Sequence, residues 1–299
     1  MTTRPPHPAD APPLALSLTI PVLGPTRPTP GSANLLRRGV LRHAKAAHPA
    51  LAERMHDDPG LHTRSWTVSP LLTQRGRQQV RVTAFGADAV TALIVSLTPG
   101  EPLVPDHWTF APRAEWIGTQ LRDDAPLGAC DETRIVALRL ASPTVFSGVE
   151  RRALDPEITS RRLLERWRQR IIEHAPGSRL AAACDAPGVH AAAEAALVVT
   201  GDVRRERVRH PRERFFVDAS IGTVQLVLPA GPHAATLAAI ANAGPFLGTG
   251  RYVAQGFGQV LSVPGTSVRR PAPARRRSRP QPVRPRSGRP ITAIARQRV

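Results

Sequence analysis

Cysteine and lysine are nearly missing from this chain, and each scarcity removes a class of function. The two cysteines, Cys130 and Cys184, stand far apart with no C-x-x-C partner, so neither a disulfide framework nor a zinc site is indicated. Lys45 is the single lysine, which excludes a Walker loop with its G-K-[ST] requirement. Long apolar runs are missing too, since none reaches the roughly eighteen residues of a membrane span. The most apolar early segment alternates Leu14, Leu16, Leu18, Ile20 and Val22 with Ala15, Ser17, Thr19 and Pro21. Period two predicts a strand, and no basic n-region directly precedes it as a signal peptide requires. A cytoplasmic protein without membrane contact is expected.

Acidic residues are scarce as well. The balance of 41 basic against 23 acidic residues gives +18 over 299 residues, and the arginines after residue 263 supply +11 of it, leaving +7 on the body. Both excesses favour a polyanionic partner, the body's more strongly, because a basic tail is often a solvated appendage. The length allows two modest domains with cores of their own.

Glycine and arginine, in contrast, are concentrated in telling places. Between an alanine-rich helix and a final strand lies Phe246-Leu247-Gly248-Thr249-Gly250-Arg251-Tyr252-Val253-Ala254-Gln255-Gly256-Phe257-Gly258-Gln259-Val260. Glycines admit φ > 0 and close backbone approach, so such a loop is expected to offer N–H groups to a phosphate chain. It is not the dinucleotide fingerprint, which runs G-x-G-x-x-G from a strand into a helix. A turn-rich connector without a ligand remains the competing interpretation. The second concentration is Arg204, Arg205, Arg207, Arg209, Arg212 and Arg214, interrupted by the acids Glu206 and Glu213 only. At an expected hairpin this forms a basic ribbon suited to RNA phosphates. Arg161, Arg162, Arg166, Arg168 and Arg170 offer a second basic surface on a helix, or merely a solvated face around Glu165.

Periodicity organises the rest. Residues 1–13 and 264–299, rich in proline and arginine, are expected to be disordered. Between them a cycle of β-α-β-β-α-β runs twice. The first uses the strand from Leu14, a helix with Leu36, Val40, Leu41 and Ala44, strands at Trp66–Val68 and Val80–Ala84, a helix with Val90, Leu93, Ile94 and Leu97, and a strand at Trp108–Phe110. The second begins at Val136, Leu138 and Leu140, continues into a helix capped by Asp155 and Pro156 with Leu164, Trp167 and Ile171 as its stripe, and ends with strands at Leu197–Val203 and Phe215–Leu228, the alanine-rich helix and a strand from Gly256. The expected class is α+β, two tandem ferredoxin-like domains over residues 14–125 and 130–263.

Three places resemble one known family, the CRISPR-associated repeat-processing endoribonucleases of the repeat-associated (RAMP) superfamily. His48-Pro49-Ala50-Leu51-Ala52-Glu53-Arg54-Met55-His56-Asp57 followed by Trp66-Thr67-Val68-Ser69-Pro70-Leu71 is similar to the family's leucine-histidine-acid helix end and its following strand. Leu140-Ala141-Ser142-Pro143-Thr144-Val145-Phe146 is similar to the segment opening the second domain. Gly248, Gly250, Arg251, Gly256 and Gly258 match the family's G-x-G-(K/R)-x-x-x-x-G-x-G pattern. The resemblance implies binding of CRISPR repeat RNA, and one metal-independent cut per repeat that needs no cofactor. Interference-complex proteins or a second copy would be further partners.

Such a cut uses the ribose 2′-hydroxyl as nucleophile, so the site needs proton transfer and a held cation. By the resemblance His56 is the general acid or base and Arg64 holds the scissile phosphate, each opposed by the reading of an ordinary surface side chain. Some members carry a tyrosine in the first helix, where this chain has Leu41, which cannot transfer a proton. His43 lies about 200° further round that helix, Lys45 is one turn from Leu41, and His62 in the loop ahead of Arg64 is the better substitute. A noncatalytic RAMP subunit that binds guide RNA is the alternative that Leu41 favours, and a generic basic assembly protein is a third. On the basic-ribbon reading, replacing Arg204, Arg205 and Arg207 weakens binding of a labelled repeat RNA, and a titration over several salt concentrations should show the log–log slope falling by about 0.7–0.9 for each phosphate that is no longer neutralised.

Overall fold

Alternation in the first apolar segment yields β1 (Ala15–Leu23), and this strand becomes the centre of a seven-stranded antiparallel sheet. The computed structural model describes residues 13–24, 32–50, 52–53, 65–74, 76–104, 107–146, 158–209, 216–251, 253 and 256–263. β1 pairs on one side with β4 (Arg77–Phe85), from Ala15↔Phe85 to Pro21↔Gln79, and on the other with β7 (Ile117–Leu121). Beyond the end of β7, Val22 and Leu23 pair instead with β6 (Trp108–Phe110), which carries β5 (Pro102–Val104). β2 (Trp66–Val68) and β3 (Leu72–Gln74) share the other edge of β4. The strands β3, β5 and β7 were not anticipated, since Leu72–Gln74, Pro102–Val104 and Ile117–Leu121 lack the apolar alternation that marks Trp66–Val68 and Trp108–Phe110.

One face of this sheet buries Leu16, Leu18, Ile20 and Val22 with Val80, Val82, Ala84, Trp66, Val68, Trp108 and Phe110. Two helices cover it, α1 (Ser32–Ala47) through Leu36 and Val40 and α2 (Ala87–Ser96) through Val90, Leu93 and Ile94. These are the stripes the helical spacing predicts. The other face carries mainly small and polar residues, Ala15 and Ser17 beside Thr83, Arg81 and Thr67, with Phe85 at its end, and it is buried as well.

The second sheet is five-stranded and antiparallel, in the order β10 (Arg204–Arg209), β11 (Phe216–Leu228), β8 (Arg134–Thr144) and β12 (Val260–Ser262), with β9 (Leu197–Thr200) also on β11. β9 and β10 follow each other along one edge of β11, and the turn between them is fixed by the Asp202 carboxylate, which accepts the Thr223 amide at 2.7 Å. Between β8 and β9 come a π-helical turn at Arg161–Glu165, α3 (Arg166–His174), α4 (Arg179–Cys184) and α5 (Val189–Ala195). Asp155 and Pro156, the expected cap, lie outside the described residues. The short helices α4 and α5 were missed, although Ser178 signals the first by accepting the Ala181 amide at 3.0 Å as an N-cap. Among the described residues no helix is long and apolar enough to cross a membrane.

The last helix, α6 (Ala234–Leu247), has Asn242 as its one exposed residue. A helix buried all round needs neighbours on every side. α6 has them, because it packs on β8 and β11 of its own sheet, on α3, and on β1, β2 and β4 of the first sheet. Leu237, Ile240 and Leu247 therefore share one core with Leu138, Leu140, Trp167, Ile171, Val224 and Leu226, and also with Ala15 and Phe85. The segment from β7 to β8 is tied down by Asp123, whose carboxylate accepts the amides of Arg179 at 2.6 Å and Leu180 at 2.9 Å.

His174 ends α3 with its side chain buried, and burial, followed by the nearby Arg170 cation, pushes its imidazole down to about 4, with Glu173 offsetting only part. The unfolded chain takes up this proton near 6.5, whereas the folded chain does not. Stability is thus complete above about pH 6.5 and declines as pH falls toward about 4, by about 3 kcal/mol in all. Urea-unfolding midpoints measured across that window should fall accordingly, and a His174→Gln variant should show a flatter profile.

Candidate nucleic-acid interface

The glycine loop leaves α6 at Gly248 and reaches β12 at Val260, and its backbone is engaged within the protein. Gly248 donates its amide to Gly244 O, Thr249 to Gly258 O, Arg251 to Val145 O, Gly256 to Val253 O and Gly258 to Pro143 O, at 2.7–3.3 Å. These amides therefore do not form the anion cradle that the glycine count suggested. The glycines serve close packing instead. Gly258 has φ +61° and a Cβ there would overlap the Thr249 carbonyl, while at Gly250, φ +77°, a Cβ would come 2.5 Å from Val145 O. Gly248, Gly256 and Gly258 are buried, Gly250 is half-buried, and Arg251 is exposed. Among the described residues of the loop, the side chain presented outward is that of Arg251, whose amide is bonded to Val145 O.

Two buried arginines hold the root of this loop. Arg81, from β4, donates from Nη2 to Pro245 O at 2.9 Å, from Nη1 to Val260 O at 3.0 Å, and from Nε to Ser17 Oγ at 2.8 Å. Arg170, from α3, donates from Nη1 to Leu247 O and to Gly248 O. Burial pushes each guanidinium down to about 10, so both remain charged at neutral pH. Beside them Trp167 Nε1 donates to Gly248 O at 2.7 Å.

A hydroxyl chain completes the contact. Thr83 uses its single proton on Phe246 O at 2.7 Å, so at the 2.7 Å contact with Thr67 it is Thr67 that donates. Thr67 in turn accepts Gln259 Nε2 at 3.1 Å. The donors thus run one way, from Gln259 at the end of the glycine loop through β2 and β4 to the end of α6, an arrangement in which each bond polarises the next.

Basic groups are displayed elsewhere. β10 is an outer strand of its sheet, and Arg204, Arg205, Arg207 and Arg209 are all exposed on it. Arg204 pairs with Glu206 at 2.9 Å, while Arg205, Arg207 and Arg209 share the opposite face. Arg212 and Arg214 lie outside the described residues. The second basic stretch keeps Arg166 exposed, but three of its five arginines are paired or internal. Arg168 binds Glu165 at 2.7 and 3.0 Å, Arg170 is internal, and Arg161 stands 3.6 Å from Glu194. Glu165 also meets His190 at 2.9 Å. Its burial opposes ionisation, but the bonds from Arg168 and His190 outweigh this and hold its carboxyl below the usual range.

The expected catalytic residues His56, His62 and Arg64 lie outside the described residues. What is described is where their segment rejoins the fold: β2 begins at Trp66, and its Thr67 touches the glycine loop through Gln259. His43 is turned away from this contact. Its Nε2 lies 3.0 Å from Pro102 O and its Nδ1 3.3 Å from the Glu101 carboxylate, beside a surface cleft of about 370 Å³. Leu41 is half-buried against the first core. Among the described residues no group of three or more His, Cys, Asp and Glu is placed to hold a metal ion. Sequence reasoning missed Arg81 and the threonine pair, whose only signal was a polar residue at every second position of an otherwise apolar strand, and it read the internal Arg170 as part of a basic or solvated helix face.

Replacing Arg81 with Met leaves the Pro245 and Val260 carbonyls buried without a donor. Urea unfolding should show a loss of about 2–4 kcal/mol, against almost none for Arg204→Met on the exposed edge.

No family model matches the sequence, and no curated protein matches it. Solved structures do match. Thermus thermophilus Cas6 in a product complex is 18% identical, with 84% of this chain and 99% of that chain covered and a TM-score of 0.62. A second Cas6 product complex is 20% identical, covering 83% and 99%, with a TM-score of 0.59. A Cas6-related protein from Pyrococcus furiosus is 13% identical, covering 84% and 99%, with a TM-score of 0.55. The chain shares the fold of these proteins over nearly their whole length.

Proposed function

We propose that this chain is a RAMP-superfamily repeat-processing endoribonuclease, built as two tandem ferredoxin-like domains over residues 14–125 and 130–263, that binds CRISPR repeat RNA and cuts precursor transcripts into guide RNAs. The observation that carries this reading is the junction of β2 with the glycine loop. The segment bearing His56, His62 and Arg64 enters the fold through Trp66 and Thr67, and Thr67 is bonded to Gln259, next to Gly258. The fold shared with Cas6 structures solved with product and with a substrate mimic supports it.

In this reading Gly248, Gly256 and Gly258 shape the loop, Gly250 and Arg251 face the RNA, and Arg204, Arg205, Arg207 and Arg209 engage its backbone. His56 transfers a proton in the attack of the 2′-hydroxyl on the adjacent phosphorus. The 5′-oxygen leaves with a proton, for which His62 is the second donor in place of the missing tyrosine. Arg64 bridges the phosphate oxygens as charge accumulates on them. The products are a 2′,3′-cyclic phosphate and a 5′-hydroxyl end, and no metal ion enters the scheme.

Incubating the full chain with a labelled repeat RNA from its own array in EDTA tests this directly. A cyclic-phosphate product is expected, and His56→Ala should reduce cutting by about a hundredfold or more with repeat affinity nearly unchanged. Cutting that survives His56→Ala moves the proton transfer to another residue. Tight binding of RNA that stays intact assigns the chain to the noncatalytic guide-RNA-binding subunits.

A further inference from the structure

Phe216 opens β11 with 55% of its surface exposed, whereas Phe85 and Phe110 are fully buried. It stands opposite Arg209 on the ladder, and the Arg207 guanidinium carbon lies 5.6 Å from its ring centre. Alternation puts Arg205, Arg207 and Arg209 on one face of β10, opposite Ser220, Asp218 and Phe216. β10 ends its sheet in the strand order β10-β11-β8-β12.

The chemistry of this face is not that of a plain phosphate track. Asp218 stands across from Arg207 and is exposed, and a carboxylate repels a phosphate chain laid over it. An exposed phenyl ring gains nothing from phosphates either. A nucleobase fits all three groups, having a π-face for the ring, acceptor edges for a guanidinium and amino groups for a carboxylate. Bases offer their faces only where they are unpaired.

We propose that Phe216 and Arg207 form a stacking subsite for one unpaired nucleobase of the bound RNA, with Arg205 and Arg209 on the flanking phosphates. The subsite rests on the RNA-binding reading above, moves Arg207 from the RNA backbone to a base, and adds a preference for single-stranded RNA at this sheet edge.

Fluorescence anisotropy with the full chain tests it, using a labelled oligoadenylate and a blunt RNA duplex of the same length. Phe216→Leu keeps an apolar side chain and removes the π-face. It should weaken oligoadenylate binding about 5- to 150-fold, leave duplex binding within about twofold, and leave the salt slope unchanged. Phe216→Trp should retain the wild-type affinity. Arg205→Gln with Arg209→Gln should instead weaken both RNAs and flatten the slope. Equal losses on both RNAs from Phe216→Leu, or no loss at all, overturn the subsite while RNA binding stands. Failure of the wild-type chain to bind either RNA overturns both.

Discussion

Two buried guanidinium ions gripping one helix end are the constraint on which the rest of this structure depends. Arg81 comes from the first sheet and Arg170 from α3, and both donate to carbonyls around the C-terminal end of α6, at Pro245, Leu247 and Gly248. A helix C-terminus carries the negative end of the macrodipole and carbonyls without helical partners, so it stabilises a cation. Arginine suits the place because it stays charged when buried and its planar fork reaches several acceptors at once. The partners of Arg81 are carbonyls, an amide oxygen and a hydroxyl. Dipoles thus take the role that a carboxylate has in an ion pair.

This grip anchors a loop rich in glycine. Its root is clamped, its amides are bonded to β8 and to itself, and its glycines are sites of close backbone approach. The Arg251 amide is held by Val145 O, and the far end of the loop is bonded through Gln259 to β2, the strand through which the histidine-bearing segment enters. The arrangement separates two tasks that the sequence ran together, with buried arginines holding the fold and exposed ones on β10 and at Arg251 displaying charge.

Much of the fold was legible in the residues. Alternation of Leu16, Leu18 and Ile20 revealed β1 and its buried face, and the spacing of Val90, Leu93, Ile94 and Leu97 revealed α2. Short elements without a clear period, β3, β5, β7, α4 and α5, were not legible, although β2 and β6 of three residues were, because Trp and Val or Phe alternate with Thr in them. The glycine loop was found as a motif, but the use of its amides was read wrongly, because composition shows which backbones can approach closely and not which partner arrives. Arg170 was read as a surface charge, since one turn of helix holds both exposed and buried positions and the residue type did not separate them. At Phe216 the strand was legible but the exposure of its aromatic side chain at the sheet edge was not.

By itself the sequence determined the strand and helix periods, the glycine and arginine clusters, the excess of positive charge and the order of two similar cycles, because these depend on neighbours within a few residues. Only the tertiary structure decided that the polar face of β1 and β4 would be a buried contact and that α6 would be shared between two sheets. It also decided that Arg81 would reach residues more than 160 positions away. Those outcomes rest on desolvation and hydrogen-bond satisfaction between distant segments, and local pattern carries no record of which distant dipole a buried charge will meet.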